Sequence, residues 1–230
     1  MNILEIFISS VKLILFFDHK LFEIIILSLK VSLIALIISS FFSIILGYFM
    51  AVKKFYLKNI LVIIFNSLMG IPPVVVGLIV YFLLAREGPL GVFQLLYTPI
   101  AMIIAQIIII FPIIVSLSYE IFLQNWKMYS DHFKAFNIPL LGILLILFRH
   151  SFVVLITVLL SGFGRAISEV GAVMIVGGNI DHYTRVMTTA ISLETRMGNL
   201  EYAMALGLVL ISLTILIYSL IYILTKRNFK

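Results

Sequence analysis

Residues 24–51 read IIILSLKVSLIALIISSFFSIILGYFMA, and this apolar run decides the class of fold. About 20 consecutive apolar residues are enough for a helix to cross the ~30 Å hydrocarbon core of a bilayer. The rest of the 230-residue chain is similar, since 63% of it is hydrophobic and only 11% is charged. A soluble domain is roughly half apolar and a quarter charged. Most of the surface of this chain must therefore face lipid, and the sequence predicts an integral membrane protein.

Four further runs are long enough to cross a membrane, and none shows the alternation that is typical of a membrane strand. The five spans are expected near residues 24–51, 60–84, 98–123, 147–177 and 203–225. As a helix, residues 3–17 would reach only ~22 Å, which is short of a crossing. We expect this segment to lie in the membrane interface, with a sixth crossing as the alternative. The predicted fold class is all-α, a polytopic membrane helical bundle.

Basic residues indicate which side of the membrane each connection occupies, because cytoplasmic loops are enriched in Lys and Arg. Three connections on one side are rich in them: Lys53, Lys54 and Lys58; Lys127, Lys134 and Arg149; Lys226, Arg227 and Lys230. The opposite side carries fewer: Lys12, Lys20, Arg86, Arg185 and Arg196. The rule therefore places the C-terminus in the cytoplasm and the start of the first span outside.

Two connections are too long to be simple turns. On the predicted cytoplasmic side, residues 124–146 read QNWKMYSDHFKAFNIPLLGILLI and mix polar with apolar positions. An apolar stripe broken by Pro139 could form there: Phe133, Phe136, Ile138 and Leu141. On the other side, residues 178–202 contain apolar positions at helical spacing: Val186, Met187, Ala190 and Leu193. We expect a short amphipathic helix there, packed over the end of the bundle.

Composition excludes several kinds of chemistry. The chain has no cysteine, and its four histidines never pair at the spacing of metal ligands. No phosphate-binding loop of the G-x-x-x-x-G-K-[ST] type is present, and the acidic residues fall mostly at span ends or in loops. The net charge of +6 is not arranged as a contiguous basic face, so a nucleic-acid partner is not expected. We predict no catalytic residue, metal or cofactor, and therefore no enzyme.

Two charges lie within the fourth predicted span, in SGFGRAISEVGAVMIVGG (161–178). Arg165 and Glu169 are four residues apart, on the same face of a helix, and can pair. Charges at this depth are costly and usually have a purpose. One interpretation is a salt bridge within the helix that only lowers the cost of each charge. The other is a pair that faces a polar pathway or a subunit interface, and the small residues around it would let helices approach closely.

The second predicted span is interrupted by GIPPVVVG (70–77). Pro72 and Pro73 remove two backbone donors, and Gly70 adds flexibility. Free carbonyls at membrane depth are tolerated only within protein or along a wet cavity. The sequence is compatible with an ordinary proline kink and with a kink that lines or gates a pore. Hydroxyl-bearing residues of the fourth span could also line a pathway: Thr157, Ser161 and Ser168.

Several long runs, in order along the chain, resemble one family. FEIIILSLKVSLIAL (22–36), NSLMGIPPVVVGLIVYFLLAREGPLG (66–91), YTPIAMIIAQ (97–106) and GRAISEVGAVMIVGGNI (164–180) look like the membrane subunits of tungstate importers. These belong to the molybdate, tungstate and sulfate group of ABC transporter permeases. The resemblance covers about residues 20–225, nearly the whole chain.

The resemblance implies a type I importer fold and a set of partners. Residues 21–225 would form the transmembrane domain, preceded by the segment 1–20 and followed by a basic tail, 226–230. Two permease copies would form the pathway in a bacterial or archaeal cytoplasmic membrane. Cytoplasmic ATPase subunits would drive it, and an external binding protein would deliver the oxyanion. Tungstate is favoured, with molybdate and sulfate as alternatives; an ion-coupled carrier is a distant alternative.

The resemblance also implies a cytoplasmic coupling segment, here about 126–146, with an "EAA…G" pattern. Counting that pattern onto this chain puts Asp131 in the Glu position and Asn137 in the Gly position. His132 and Phe133 take the two Ala positions, and a later Leu-Pro becomes residues 149–150, Arg-His. The pattern is degenerate, although Asp keeps the carboxylate and Asn tolerates a left-handed turn. The resemblance thus assigns contact with the ATPase to Asp131, Phe133 and Asn137.

Overall fold

A computed structural model describes residues 3–16 and 18–228. Within them the chain forms nine α-helices and a short 3₁₀ turn at Gly91–Phe93, and no strand. The helices are α1 (Ile3–Leu15), α2 (His19–Val52), α3 (Lys58–Leu68), α4 (Pro73–Leu84), α5 (Pro99–Ala135), α6 (Leu140–Ile167), α7 (Gly171–Gly177), α8 (Met187–Met197) and α9 (Leu200–Asn228). The predicted all-α fold class is confirmed.

Four of these helices are long and apolar enough to cross a membrane: α2, α5, α6 and α9. The pair α3 and α4 also qualifies if it is counted as one broken span, although its two halves meet at 103°. The described chain is thus a multi-pass helical bundle with four or five spans, in agreement with the five that the sequence predicts.

Helices α2 and α5 form the central pair of the bundle, because α2 presents small residues to α5. The small buried residues of α2 include Ser43, whose hydroxyl donates to the carbonyl of Phe111 on α5 over 3.3 Å, and Gly47. A Cβ atom at Gly47 would lie 3.0 Å from the Cβ of Ser118 and 3.0 Å from the backbone nitrogen of Tyr119. Lipid tails are as apolar as the side chains, so close van der Waals packing of small residues is what holds such helices together.

Two spans that the sequence predicts as single helices are divided. The predicted span 60–84 becomes α3 and α4, each too short to cross a ~30 Å core at ~1.5 Å per residue. The predicted span 147–177 begins earlier, at Leu140, and is broken at residues 168–170 between α6 and α7. The predicted long connection after the third span is also different, because α5 continues through it to Ala135.

The peripheral elements are α1, α8 and α9. α1 packs against α9, and the Ser10 hydroxyl donates to the carbonyl of Glu201 over 2.8 Å. The short helix predicted between the last two spans is confirmed as α8, which buries Met187 and Ala190. The predicted basic tail starts within α9, which runs to Asn228, and Lys230 lies outside the described residues.

Candidate functional site

The break between α6 and α7 is built around the carboxylate of Glu169. Arg165 lies in the last turn of α6, and its Nη1 donates to Oε2 of Glu169 over 2.7 Å. The other carboxylate oxygen, Oε1, accepts from the backbone N–H of Ala172 over 3.2 Å. Glu169 is 4% exposed, whereas the side chain of Arg165 is 34% exposed. The two charges therefore pair across the end of a helix, and Glu169 also satisfies the first turn of the next one.

Two further side chains donate hydrogen bonds to carbonyl groups at this break. The Thr188 hydroxyl, on α8, donates to the carbonyl of Glu169 over 2.7 Å. The Nε2 of Gln106, on α5, donates to the carbonyl of Ala166 over 3.1 Å. Within lipid every backbone polar group must be satisfied by protein. The break is therefore stabilised by the side chains of Glu169, Gln106 and Thr188, whose hydrogen bonds connect α5, α6, α7 and α8.

Helices α4 and α7 pack directly against each other. A Cβ atom at Gly77 would lie 2.7 Å from the Cα of Ala172, and one at Gly171 would lie 2.6 Å from a methyl carbon of Val74. Both distances are shorter than real Cβ contacts allow. The backbones of α4 and α7 consequently touch, as small residues permit in membrane proteins. A movement of either helix must be accompanied by the other.

The prolines of the second span make a sharp turn. α3 ends at Leu68, and α4 begins at Pro73 with Pro72 as its N-cap residue. Proline is well suited to the first turn of a helix, where its missing N–H is not needed. Gly70 lies in the connection, where a Cβ atom would approach only the carbonyl oxygen of Ser67, at 3.7 Å. The bend of 103° is much larger than a kink within one helix.

One face of α6 carries small and hydroxyl-bearing residues that are at least partly exposed. They follow a spacing of three or four residues: Thr157, Ser161, Gly164 and Ser168. Each of the three hydroxyls donates to a carbonyl of its own helix. Nothing in the described chain lies within 4 Å of a Cβ atom built at Gly164. We call these four residues the α6 polar stripe.

At the other end of the molecule, α5 and α6 meet in a tight corner formed by residues 136–139. Asn137 has φ 49°, the left-handed conformation that Asn tolerates better than most residues. Asp131 is 91% exposed in the last turns of α5 and pairs with Lys134 at 3.1 Å. The Tyr48 hydroxyl of α2 donates to the carbonyl of Leu140 over 2.6 Å, which attaches α2 to the start of α6.

The two phenylalanines of the corner have opposite environments. Phe133 is 7% exposed and stacks on Trp126 with ring centroids 6.1 Å apart. Phe136 is 75% exposed, and Leu141 beside it is 76% exposed. The side chain of Phe133 therefore supports the corner from inside, and Phe136 is the aromatic group that the corner presents outward.

The sequence did not single out Gln106 and Thr188. Gln106 could have been found as the only amide in the apolar run IAMIIAQIIIIF (100–111), since polar side chains in membrane helices are often hydrogen-bonded across helices. Thr188 carries no comparable signal, because it lies in the amphipathic segment between the last two predicted spans. Of the predicted residues, the structure brings Arg165 and Glu169 together, with Ser168 beside them. Gly70, Pro72 and Pro73 lie at the other break, and Asp131, Phe133 and Asn137 lie at the corner.

This architecture defines a class of protein: a multi-pass helical membrane protein with one sharply bent helix pair, α3 and α4, and no phosphate-binding loop in its sequence. Residues 43–230 match the family of binding-protein-dependent transport system inner membrane components, and the chain belongs to that family.

Three relatives narrow the class. The chain is 42% identical over 225 residues to the tungstate uptake system permease protein TupB of Peptoclostridium acidaminophilum, which covers 98% of this chain and 99% of the relative. It is 42% identical over 161 residues to TupB of Campylobacter jejuni, covering 69% of this chain and 66% of the relative. It is 40% identical over 193 residues to a probable anion ABC transporter permease of Haloferax volcanii, covering 82% and 83%.

Proposed function

We propose that this chain is the membrane-spanning permease subunit of an ATP-driven tungstate importer. One observation carries the proposal: 42% identity along 98% of the chain to a relative named as a tungstate uptake permease. The second relative of that name supports the same substrate, and the third is named only as an anion permease. Molybdate and sulfate are the competing substrates.

The substrate is tested by deleting the gene and measuring uptake of tungstate, molybdate and sulfate separately. We expect tungstate uptake to be lost and the other two to be retained, with recovery when the gene is supplied on a plasmid. Loss of molybdate uptake alone, or of sulfate uptake alone, would contradict the proposal. The uptake of an unrelated solute in the same cells controls for general damage to the membrane.

Two copies of the chain form the pathway in this proposal. The α6 polar stripe supports it, because it combines hydroxyls with a glycine that has open space beside it. Small residues permit close approach of a second helix, and hydroxyls can contact a passing anion. Ser161 and Ser168 are the proposed pathway residues of this stripe. The bend at Gly70, Pro72 and Pro73 would let α4 move and open or close the pathway.

The energy must come from a partner, since the chain has no nucleotide-binding loop of its own. We propose that cytoplasmic ATPase subunits bind the corner between α5 and α6 and that an external binding protein delivers the anion to the opposite face. The protein would lie in the cytoplasmic membrane of a bacterium or archaeon with its C-terminus in the cytoplasm. The basic residues near the corner and in α9 support this orientation.

At the corner, Asp131 and Asn137 have separate proposed tasks. Asp131 is exposed and available to a partner, and the left-handed Asn137 allows the chain to turn sharply into α6. We propose that Phe133 positions the corner, while Phe136 inserts its exposed ring into an apolar groove of the ATPase. Closure of the ATPases would then pull the corner and tilt α6, and the α4–α7 contact would carry that motion to the pathway.

The role of Asp131 is tested with Asp131→Ala. We expect ATP-driven tungstate uptake to fall while the amount of protein in the membrane is unchanged, because this carboxylate is exposed and contacts its surface neighbours Lys134 and Ser130. Lys134→Ala is the matched control, since it removes the same surface ion pair but leaves the carboxylate. Normal uptake by a well-expressed Asp131→Ala variant would contradict a coupling role.

The competing function is an ion-coupled carrier that uses Arg165 and Glu169 as its site. Their geometry does not favour binding of a transported ion, because both carboxylate oxygens of Glu169 already accept hydrogen bonds from the protein. Reconstitution discriminates the two functions. A carrier would transport in liposomes that contain this chain alone, without ATP, whereas a permease subunit requires the ATPase and ATP.

A further inference from the structure

Lys30 is a charged residue on the exposed face of a spanning helix. It lies eleven positions after His19, the first residue of α2, and hence roughly 16 Å along the helix axis at ~1.5 Å per residue. Its side chain is exposed, and the residues that share its face are large, apolar and exposed: Ile26, Leu33, Ile37 and Phe41. A positive charge therefore interrupts a stripe that is otherwise apolar.

No acidic partner compensates this charge among the side chains that the structure describes. Among the side chains of residues 5–16 and 18–223, no carboxylate lies within 4.0 Å of the Lys30 ammonium. Arg165 is different, since Glu169 neutralises it at 2.7 Å. An uncompensated charge facing hydrocarbon is costly, and such residues usually face a water-filled cavity or a binding partner.

Lys30 is also far from the nearest polar group towards the start of α2 on its own face. The nearest polar group towards the outer end of its own face is Glu23, whose carboxylate lies 2.7 Å from His182 in an external loop. Lys30 lies seven positions after Glu23, which is ~10 Å of helix. A lysine side chain has five bonds from Cα to Nζ and extends about 6 Å as a zigzag of ~1.5 Å bonds, so its ammonium falls short of the level of Glu23.

We propose that Lys30 faces the translocation pathway and is an anion-binding residue for the transported oxyanion. The inference rests on the proposed function, because it requires an anion importer of two copies. Two copies bring two Lys30 ammonium groups, whose charge matches that of a dianion. A single flexible and strongly hydrated ammonium from each copy attracts the anion without a rigid set of donors. A weak site of this kind is what conduction requires, since the anion must also leave.

The absence of cysteine from the chain permits a direct test in the assembled transporter. Leu33→Cys places a thiol one turn from Lys30 on the same face, while Lys30 itself is retained. The probes are two membrane-impermeant methanethiosulfonates, one bearing a sulfonate and one a trimethylammonium group. Thiols react as thiolates and therefore need water. Ile215→Cys is the control, because Ile215 is 61% exposed on α9 at a similar distance from the start of its helix.

We expect Leu33→Cys to be modified and Ile215→Cys to remain unmodified. Tungstate, molybdate or sulfate should slow the reaction, and the anionic reagent should be favoured over the cationic one. Adding Lys30→Met should lower the ratio of the two reaction rates roughly fivefold. This is the factor that corresponds to the ~1 kcal/mol of attraction between two opposite charges ~4 Å apart in water. If Leu33→Cys folds poorly, Ile37→Cys on the same stripe replaces it. Absence of modification, or modification that is insensitive to all three anions and to Lys30→Met, would overturn the proposal.

Transport by the complete complex provides the second test. Lys30→Met should lower uptake at subsaturating anion about fivefold or more, and Lys30→Arg should retain most of it. Lys20→Met, at the outer end of the same helix, is the matched control and should transport normally. If the wild-type complex transports molybdate or sulfate and not tungstate, the proposed substrate fails, and Lys30 is then assayed with the transported anion. Equal uptake by Lys30→Met and the wild type would overturn the role of Lys30.

Discussion

At the scale of single residues, the Glu169 carboxylate makes two kinds of interaction: an ion pair and a hydrogen bond with a backbone N–H. One carboxylate oxygen accepts from Arg165 and the other from the N–H of Ala172. A buried charge that is paired and hydrogen-bonded in this way costs far less than an isolated one. The same arrangement engages both oxygens, which makes the carboxylate a structural anchor of the break between α6 and α7.

The pairing predicts a specific order of stability among variants. Glu169→Gln keeps an acceptor for Ala172 but leaves Arg165 without its counter-charge. We expect it to lower the free energy of unfolding by about 1–3 kcal/mol, less than for a fully buried pair, because Arg165 is 34% exposed. The double variant Arg165→Met with Glu169→Gln should recover part of that loss. Unfolding of the purified protein in a denaturing detergent series measures both.

Arg165→Met alone completes the cycle, since it leaves Glu169 as the unpaired charge. It should be at least as destabilising as Glu169→Gln, because Glu169 is 4% exposed and more costly to leave unpaired. If the double variant is less stable than either single variant, the two charges do not compensate each other and the structural role assigned to the pair is wrong.

How much of this site the sequence could predict depends on the range of the interactions. The four-residue spacing of Arg165 and Glu169 predicted that they pair, because local helical geometry places residues with this spacing on the same face. The end of α6 between these residues was not predictable from Ser168, Glu169 and Val170, none of which stops a helix. The break is stabilised by Gln106 and Thr188, whose positions follow only from tertiary packing.

At the scale of secondary-structure elements, the corner between α5 and α6 was also only partly predictable from the sequence. The polar and apolar mixture of residues 124–146 indicated a cytoplasmic segment, but not that α5 would continue to Ala135 as one helix. Nor could the sequence distinguish the inward Phe133 from the outward Phe136, since both follow the apolar spacing. Packing against Trp126 and Tyr129 makes that distinction.

The two phenylalanines should therefore respond differently to truncation. Phe133→Ala removes a buried ring, and we expect it to destabilise the protein by about 3 kcal/mol or more. Phe136→Ala removes an exposed ring and should change stability by less than about 0.5 kcal/mol. In the proposed complex, however, Phe136→Ala should weaken binding of the ATPase subunit roughly tenfold, as loss of an aromatic anchor does. Thermal unfolding and co-purification of the ATPase measure the two effects.

Leu141→Ala is the matched control for this comparison, because Leu141 is as exposed as Phe136 and lies beside the same corner. It should weaken the ATPase contact less than Phe136→Ala, since Leu is under-represented among binding hot spots. Full retention of the ATPase by Phe136→Ala would remove Phe136 from the interface. A stable Phe133→Ala variant that loses the ATPase would assign the contact to Phe133, as the family pattern implies.

At the scale of the whole molecule, hydropathy predicted the number of membrane regions better than their shape. The five predicted spans correspond to four long helices and one bent pair. Pro72 and Pro73 indicated that the second span is interrupted, yet a proline pair is compatible with a mild kink as well as with a bend of 103°. The angle depends on where α4 packs, and Gly77 against Ala172 determines that position.

The proposed placement of a second copy against α6 yields the last prediction. Gly164→Leu adds a large side chain where the single chain leaves open space, so each copy should still fold and insert. In the assembled transporter the same side chain would obstruct the pathway or separate the two α6 helices, and uptake should be abolished. Uptake in cells and the oligomeric state in detergent measure the outcome.

Gly207→Leu on α9 is the matched control, because a Cβ atom there also meets nothing within 4 Å. α9 lies at the edge of the bundle, where open space means lipid, and a leucine should be accepted without loss of uptake. If both variants transport normally, the open space beside Gly164 is occupied by lipid as well, and the α6 polar stripe does not face the second copy. If only Gly164→Leu loses uptake while its expression is normal, the space beside Gly164 is needed by the assembled transporter. The space beside Gly207, which is equally open in the single chain, is then not needed.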